Sequence, residues 1–170
     1  MSVLPIVQFP NEILSTVCAP VESITDEIKT LAADMAQTMY EAPGVGLAAP
    51  QVGKSIRMIV VDVSEEKDCL LTLVNPVITE VSEELICGEE GCLSLPGIWE
   101  KVERHAEVTV EYSDLQGQKQ TVHAHGLLAV CLQHEIDHLD GKVFVDHLSR
   151  LKYDRACAKL KKRRQQEKRC

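Results

Sequence analysis

The stretch Leu127-Leu128-Ala129-Val130-Cys131-Leu132-Gln133-His134-Glu135-Ile136-Asp137-His138-Leu139, followed by Asp140-Gly141, decides how the rest of the chain is read. It is long, mostly apolar and free of glycine and proline, so it predicts a helix, and Gly141 suits the residue just past a helix end. Leu128, Val130, Cys131 and Leu132 make that helix a buried one, where two unpaired histidines and a glutamate would be expensive. His134 and His138 stand at i and i+4, on one face and one turn apart, so their imidazoles can converge on one cation. Glu135 is not needed as a ligand. It can take a proton from a water whose pKa a cation has lowered to around 7.

Working outward, Glu107 to Ser113 alternates Val108, Val110 and Tyr112 with polar residues, which predicts a half-buried strand. An Asp114 to Gly117 turn and a Gln118 to His125 strand complete a hairpin that runs straight into the helix. Arg57 to Val63 and Cys69 to Asn75, both rich in β-branched and aliphatic residues, read as further strands. Thr25 can cap a helix with Ile28, Leu31, Ala32, Met35 and Met39 along one face, ending before Pro43. The expected fold is α+β: antiparallel or mixed sheets packed around the central metal-binding helix, with a C-terminal helix.

A catalytic metal site needs a third protein ligand and one open position. The metzincin spacing would put a glycine three residues and a histidine six residues after the second ligand; Gly141 fits, but the histidine position is Phe144. A downstream glutamate would have to be Glu167, in a basic segment. The third ligand is therefore expected upstream, where His105, His123, His125, Cys92 and several acids are available. Cys92 sits in Gly88-Glu89-Glu90-Gly91-Cys92-Leu93-Ser94, where Gly91 permits an unusual backbone conformation beside a soft ligand, and Leu93 can offer its N–H toward the site.

The 170 residues amount to one domain, with 45% hydrophobic and 26% charged residues, which argues against disorder and low complexity. No apolar run approaches the ~20 residues of a membrane span, and no secretory signal is legible, so a cytoplasmic protein with no membrane partner is expected. Seven scattered cysteines without a CxxC pair read as free thiols of a reducing compartment. The formal charge of −8 conceals an asymmetry. Residues 150–170 carry ten basic and two acidic side chains, a net of +8, and the remaining residues carry eight basic and 24 acidic ones, a net of −16. The chain is expected to comprise a catalytic domain over 1–149 and a basic helical tail over 150–170.

Three segments, in order, resemble the signature segments of bacterial peptide deformylases: Gly44-Val45-Gly46-Leu47-Ala48-Ala49-Pro50-Gln51, Glu90-Gly91-Cys92-Leu93-Ser94, and Gln133-His134-Glu135-Ile136-Asp137-His138-Leu139-Asp140-Gly141. The similarity extends over essentially the whole chain, including Met1 to Pro10 and Val143 to Leu151. The resemblance implies a hydrolase that removes the formyl group from the N-terminal formylmethionine of newly synthesised polypeptides and releases formate. It implies Cys92, His134 and His138 as ligands of one Fe²⁺, replaceable by Zn²⁺, Ni²⁺ or Co²⁺, and Glu135 as general acid/base. The Leu93 N–H and the Gln51 side-chain amide would stabilise the oxyanion. Gly44, Val45 and Gly46 would pair with the extended peptide, and Glu90, Leu127, Val130 and Cys131 would belong to the substrate pocket. Many relatives carry an arginine where this chain has Trp99, and a threonine or another residue where it has Pro50. The partners implied are N-formylmethionyl nascent chains and, through the basic tail, the ribosome near its exit tunnel; relatives are commonly monomers. Two other readings of the same helix are a zincin-like peptidase, which would use a different third ligand, and a structural metal domain, whose site a fourth protein ligand would close.

Overall fold

A computed structural model describes residues 2–169. Met1, which opens the first of the similar segments, and Cys170, counted among the thiols and the basic tail, lie outside the described residues.

The run Met58-Ile59-Val60-Val61 forms strand β2 of the five-stranded sheet and has no exposed surface on either face. Its alternating side chains enter two different cores. Ile59 and Val61 pack with Leu132, Ile136 and Leu139, and Met58 and Val60 pack with Met35 and Met39. These partners come from helices α2 (Gly126–Leu139) and α1 (Asp26–Glu41), so one helix covers each face of the sheet. The sheet is antiparallel throughout, in the order β1-β2-β3-β6-β7, with β1 at Gly46–Ala48, β2 at Met58–Val61, β3 at Leu71–Val81, β6 at Glu107–Ser113 and β7 at Lys119–His125. A separate antiparallel hairpin joins β4 (Leu85–Cys92) to β5 (Leu95–His105). The architecture is the α+β one expected, with the histidine-bearing helix at its centre.

Local chemistry sets the boundaries. Thr25 caps α1 by accepting the Ile28 N–H, and the helix ends at Glu41, just before Pro43. The Asp114 carboxylate accepts the N–H groups of Gln116 and Gln118 and shapes the β6–β7 turn. Strand β3 runs past the predicted Asn75 end to Val81, crossing Pro76 through a register shift between Val74 and Val77, with Asn75 at φ +52°.

The β4–β5 hairpin was not read from the sequence, for a physical reason. Its inner face carries Ile98 and Val102, but also Glu90 and Arg104, which neutralise each other in the interior and break the apolar alternation. Helix α3 (Arg150–Arg169) buries Ala156 and Leu160 against Leu95, Ile98 and Val102. The basic segment is thus one face of a helix whose other face belongs to a core.

Helix α2 ends in a Schellman motif: the Gly141 N–H donates to the His138 carbonyl and the Lys142 N–H to that of Asp137. Gly141 sits at φ +76°, and a Cβ there would stand 2.7 Å from the Ser15 carbonyl oxygen. Gly141→Ala should therefore lose about 2 kcal/mol or more of folding stability, from left-handed strain plus a backbone clash, as read by chemical denaturation.

Candidate metal centre

Two of the buried polar groups on α2, Gln133 and His134, find partners on the hairpin. Gln133 fixes the helix to the end of β5: its amide oxygen accepts the His105 N–H at 3.0 Å and its amide nitrogen donates to the His105 carbonyl at 2.9 Å. His134 has its Nδ1 2.9 Å from Glu90 Oε1, which leaves Nε2 free to point elsewhere. Glu90 in turn receives two bonds of 2.8 Å from the Arg104 guanidinium. Arg104 also donates to Asp137 at 2.7 Å, and Asp137 lies 2.8 Å from His147 Nε2. This network joins β4, β5, α2 and the 3-10 turn at Phe144–His147. Burial alone would push the Glu90 carboxyl up, but the bonds from Arg104 and His134 outweigh it and hold its pKa at about 2.

Cys92, the last residue of β4, meets this helix. Its Sγ lies 3.4 Å from His138 Nε2, and the Gln51 side-chain amide approaches it at 3.5 Å. Among the described residues, Cys92, His134 and His138 form the one group of three potential ligands whose donor atoms all lie within 4.8 Å of one another. One thiol and two imidazoles, His138 fully buried, match the donor set of a transition-metal centre. His105 and His123, also weighed as ligands, stand apart: His105 Nδ1 faces the Ser82 carbonyl and His123 Nδ1 the Thr109 hydroxyl.

Glu135 lies beside this group but outside it. Its Oε2 is buried with no hydrogen-bond partner among the described residues, and burial, with the Glu90 charge adding, lifts its pKa to about 7 against the opposing pull of His134. A carboxyl in that range can both accept and return a proton near neutrality. Its closeness to β1 explains a glycine: a Cβ on Gly46 would meet Glu135 Oε1 at 2.8 Å.

Glu135 opens onto a cleft of about 860 Å³. Gly44, Val45, Gly46 and Gln51 line one side of it, Glu90, Cys92 and Leu93 another, and Leu127, Val130 and Cys131 of α2 a third. All the residues named for substrate binding thus border one cavity, although the Glu90 carboxylate is occupied by Arg104 and His134. Burial pushes the Cys131 thiol up to about 12, so it is a neutral wall group. Trp99 is 66% exposed at the rim and lies over Gly91, where a Cβ would come within 2.6 Å of the indole ring.

The edge of β1 completes the cleft. The Asp62 N–H donates to the Val45 carbonyl, so alternation turns the backbone groups of Gly46 and Ala48 away from β2. The Ala48 N–H is accordingly bonded to Gln51 Oε1 at 3.0 Å, and this orients the amide so that its nitrogen donates to the Ser94 hydroxyl at 3.0 Å and faces Cys92. The supporting roles of Ser94, Gln133 and His147 were missed in the sequence. The only available signal was that Ser94 and Gln133 flank the ligands.

The model of the polypeptide deformylase family matches residues 3–154 of this chain. The chain belongs to that family. A peptide deformylase of Acinetobacter baumannii (strain SDF) is 53% identical over 162 residues, spanning 95% of this chain and 92% of that one. The crystal structure of a peptide deformylase from Legionella pneumophila superposes with a TM-score of 0.94 at 44% identity, covering 99% of each chain. That of a peptide deformylase from Ehrlichia chaffeensis in complex with actinonin gives 0.92 at 42% identity, over 96% of this chain and 98% of that one.

In a deformylase framework, Glu90 and Arg104 would form the outer support of the candidate metal centre. Glu90→Gln should weaken metal affinity about 10–100-fold, as measured by competition with a chromogenic chelator. Arg104→Met leaves Glu90 buried, and Asp137 half-buried, without their cation and should lower stability by about 3–5 kcal/mol near neutral pH. Because Glu90 holds its charge down to about pH 2 only with Arg104 present, that deficit should shrink as acid protonates the carboxylate.

Proposed function

We propose that Cys92, His134 and His138 hold one ferrous ion, and that Glu135, Gln51 and the Leu93 N–H act with it on the formyl group of N-formylmethionyl chains. As a member of its family, the protein is a metal-dependent hydrolase that removes this group from newly made polypeptides. The observation that carries the residue assignment is Glu135: a buried carboxylate, one oxygen unpartnered, standing between a three-donor group and an open cleft.

The bound ion would supply Lewis acidity toward the formyl oxygen and would acidify water, and the thiolate donor suits Fe²⁺ while leaving Zn²⁺, Ni²⁺ or Co²⁺ able to substitute. Glu135 accepts a proton from the attacking water at its free oxygen and returns it to the amine nitrogen as the C–N bond breaks. The products are formate and a free N-terminus. Gln51 donates from its amide nitrogen to the oxygen that becomes negative, and its fixed bonds to Ala48 and Ser94 mean that it need not reorient. The outward-facing backbone of Gly46 accepts the peptide as an added strand. Leu127, Val130 and Cys131 offer the methionine side chain an apolar wall, and Trp99 offers its indole face to the residues that follow. Glu90 serves by orienting His134.

Three protein donors beside an open cleft favour this reading over a closed structural site, and the upstream cysteine separates it from a peptidase of the zincin type. The chemistry lies within residues 1–149. The exposed face of α3, with Lys159, Lys161 and Lys162, is proposed to contact the ribosome, where formylated chains emerge. No described helix is long and apolar enough to cross a membrane. By its likeness to bacterial deformylases, which act where nascent chains emerge, we assign the enzyme to the cytoplasm, as a monomer.

The iron-loaded protein should release formate from formyl-Met-Ala-Ser without cleaving its peptide bonds. Chelation should abolish release and added Fe²⁺ restore it. Cys92→Ala and Glu135→Ala should be inactive, and Gln51→Ala should lose about 10²–10³ in rate. Formate release by Glu135→Ala at the wild-type rate would refute the assignment. Separately, exchanging Lys159, Lys161 and Lys162 for glutamate keeps the buried face of α3 intact and should weaken co-sedimentation with ribosomes, most visibly at low salt, while sparing formate release.

A further inference from the structure

Asp62 is a buried carboxylate that the proposed chemistry does not use. It directly follows β2, and its Oδ2 accepts the Tyr40 hydroxyl at 2.6 Å and the Cys69 N–H at 3.3 Å. Its Oδ1 accepts the Ser64 N–H at 3.0 Å and the Ser64 hydroxyl at 2.5 Å. Its own N–H donates to the Val45 carbonyl at 2.8 Å. No cation pairs with it in this network. The bonds keep the carboxylate charged, below the usual range despite burial, and burial together with the Asp62 carboxylate pushes the Tyr40 hydroxyl up to about 12, so that it stays a donor.

Residues 41–46 form one lip of the cleft. Tyr40 stands immediately before this segment, at the end of α1, and Val45 stands near its far end, at the start of β1. Asp62 grips both: the side chain holds Tyr40 and the backbone holds Val45. A third bond, from the Gly44 N–H to the Met39 carbonyl, closes the lip on α1. The Asp62–Val45 bond has a further effect, because it fixes the register in which Gly46 presents its backbone outward. A lip free to shift would leave that edge untemplated, and a peptide strand would have to order it on binding.

We propose that the Tyr40–Asp62 pair is a positioning device of the substrate cleft, which holds the 41–46 lip in the conformation that accepts the extended peptide. This rests on the strand-addition reading of β1. Among the described residues neither side chain is hydrogen-bonded to Cys92, His134, His138 or Glu135. Loss of the pair therefore acts on how tightly peptide is held and leaves the bond-breaking step alone, and the effect grows with the number of residues that lie along the lip.

The test compares iron-loaded wild type with Tyr40→Phe, which removes one hydroxyl from a half-buried ring, on formyl-methioninamide and on formyl-Met-Ala-Ser. The expected result is a several-fold higher KM for the tripeptide, a smaller rise for the amide and kcat unchanged on both. Amide hydrogen exchange at 41–46 should accelerate in Tyr40→Phe while that of α2 stays as in wild type. Asp62→Asn, whose amide nitrogen would face the Cys69 or the Ser64 N–H, should move KM and exchange at the lip at least as far as Tyr40→Phe. An unaltered KM with unaltered exchange at the lip would overturn the proposal, as would an equal loss of kcat on both substrates. Absence of formate release by the wild type would instead refute the deformylase reading, so the two failures are separable.

Discussion

A helix that carries two histidines and a glutamate into an apolar interior obliges the surrounding structure to supply opposite charge and hydrogen bonds at fixed places. For His134 the obligation falls on one pair of side chains. Glu90 receives His134 and the Nε and Nη2 groups of Arg104, and the Nη1 group of Arg104 donates to Asp137. Four elements meet there. The β4–β5 hairpin has its place because its inner face must bring Glu90 and Arg104 to α2, and Cys92 arrives at the metal centre because it is two residues beyond Glu90. Cys92, the third proposed ligand, is thus positioned by the same strand that orients His134.

The second constraint is steric. The Glu135 carboxylate reaches the edge of β1 only because residue 46 has no side chain, and the indole of Trp99 settles at the rim only because residue 91 has none. The cleft is therefore shaped by absences at two glycines as much as by its walls. The five-stranded sheet contributes rigidity: with β2 buried on both faces, β1 is held on a strand that has little freedom to move, and its outer edge becomes a fixed template for a peptide.

Much of this was legible in the sequence, unevenly. The central helix, its Gly141 terminus, the β6–β7 hairpin and the α1 cap all follow local rules of periodicity and capping, and the structure agrees with each. The three proposed ligands came together only through resemblance, since spacing alone left His105, His123, His125, Cys92 and several acids open as the third donor. The β4–β5 hairpin was opaque because a buried ion pair replaces the apolar residues that would announce a strand. The role of α3 was half visible: its charge is plain in the sequence, but Ala156 and Leu160 declare a core face only once β5 is in place. The Asp62 network joins residues more than twenty positions apart, a distance over which no local pattern operates.

The central claim is that one ion is held by a sulfur and two imidazoles, with the remaining coordination left open to the cleft. X-ray absorption on the zinc-loaded protein tests it most directly. The account predicts one sulfur at about 2.3 Å, two imidazole nitrogens at about 2.0–2.1 Å and a light-atom ligand from solvent. A spectrum without sulfur, or one with four protein ligands, would contradict it.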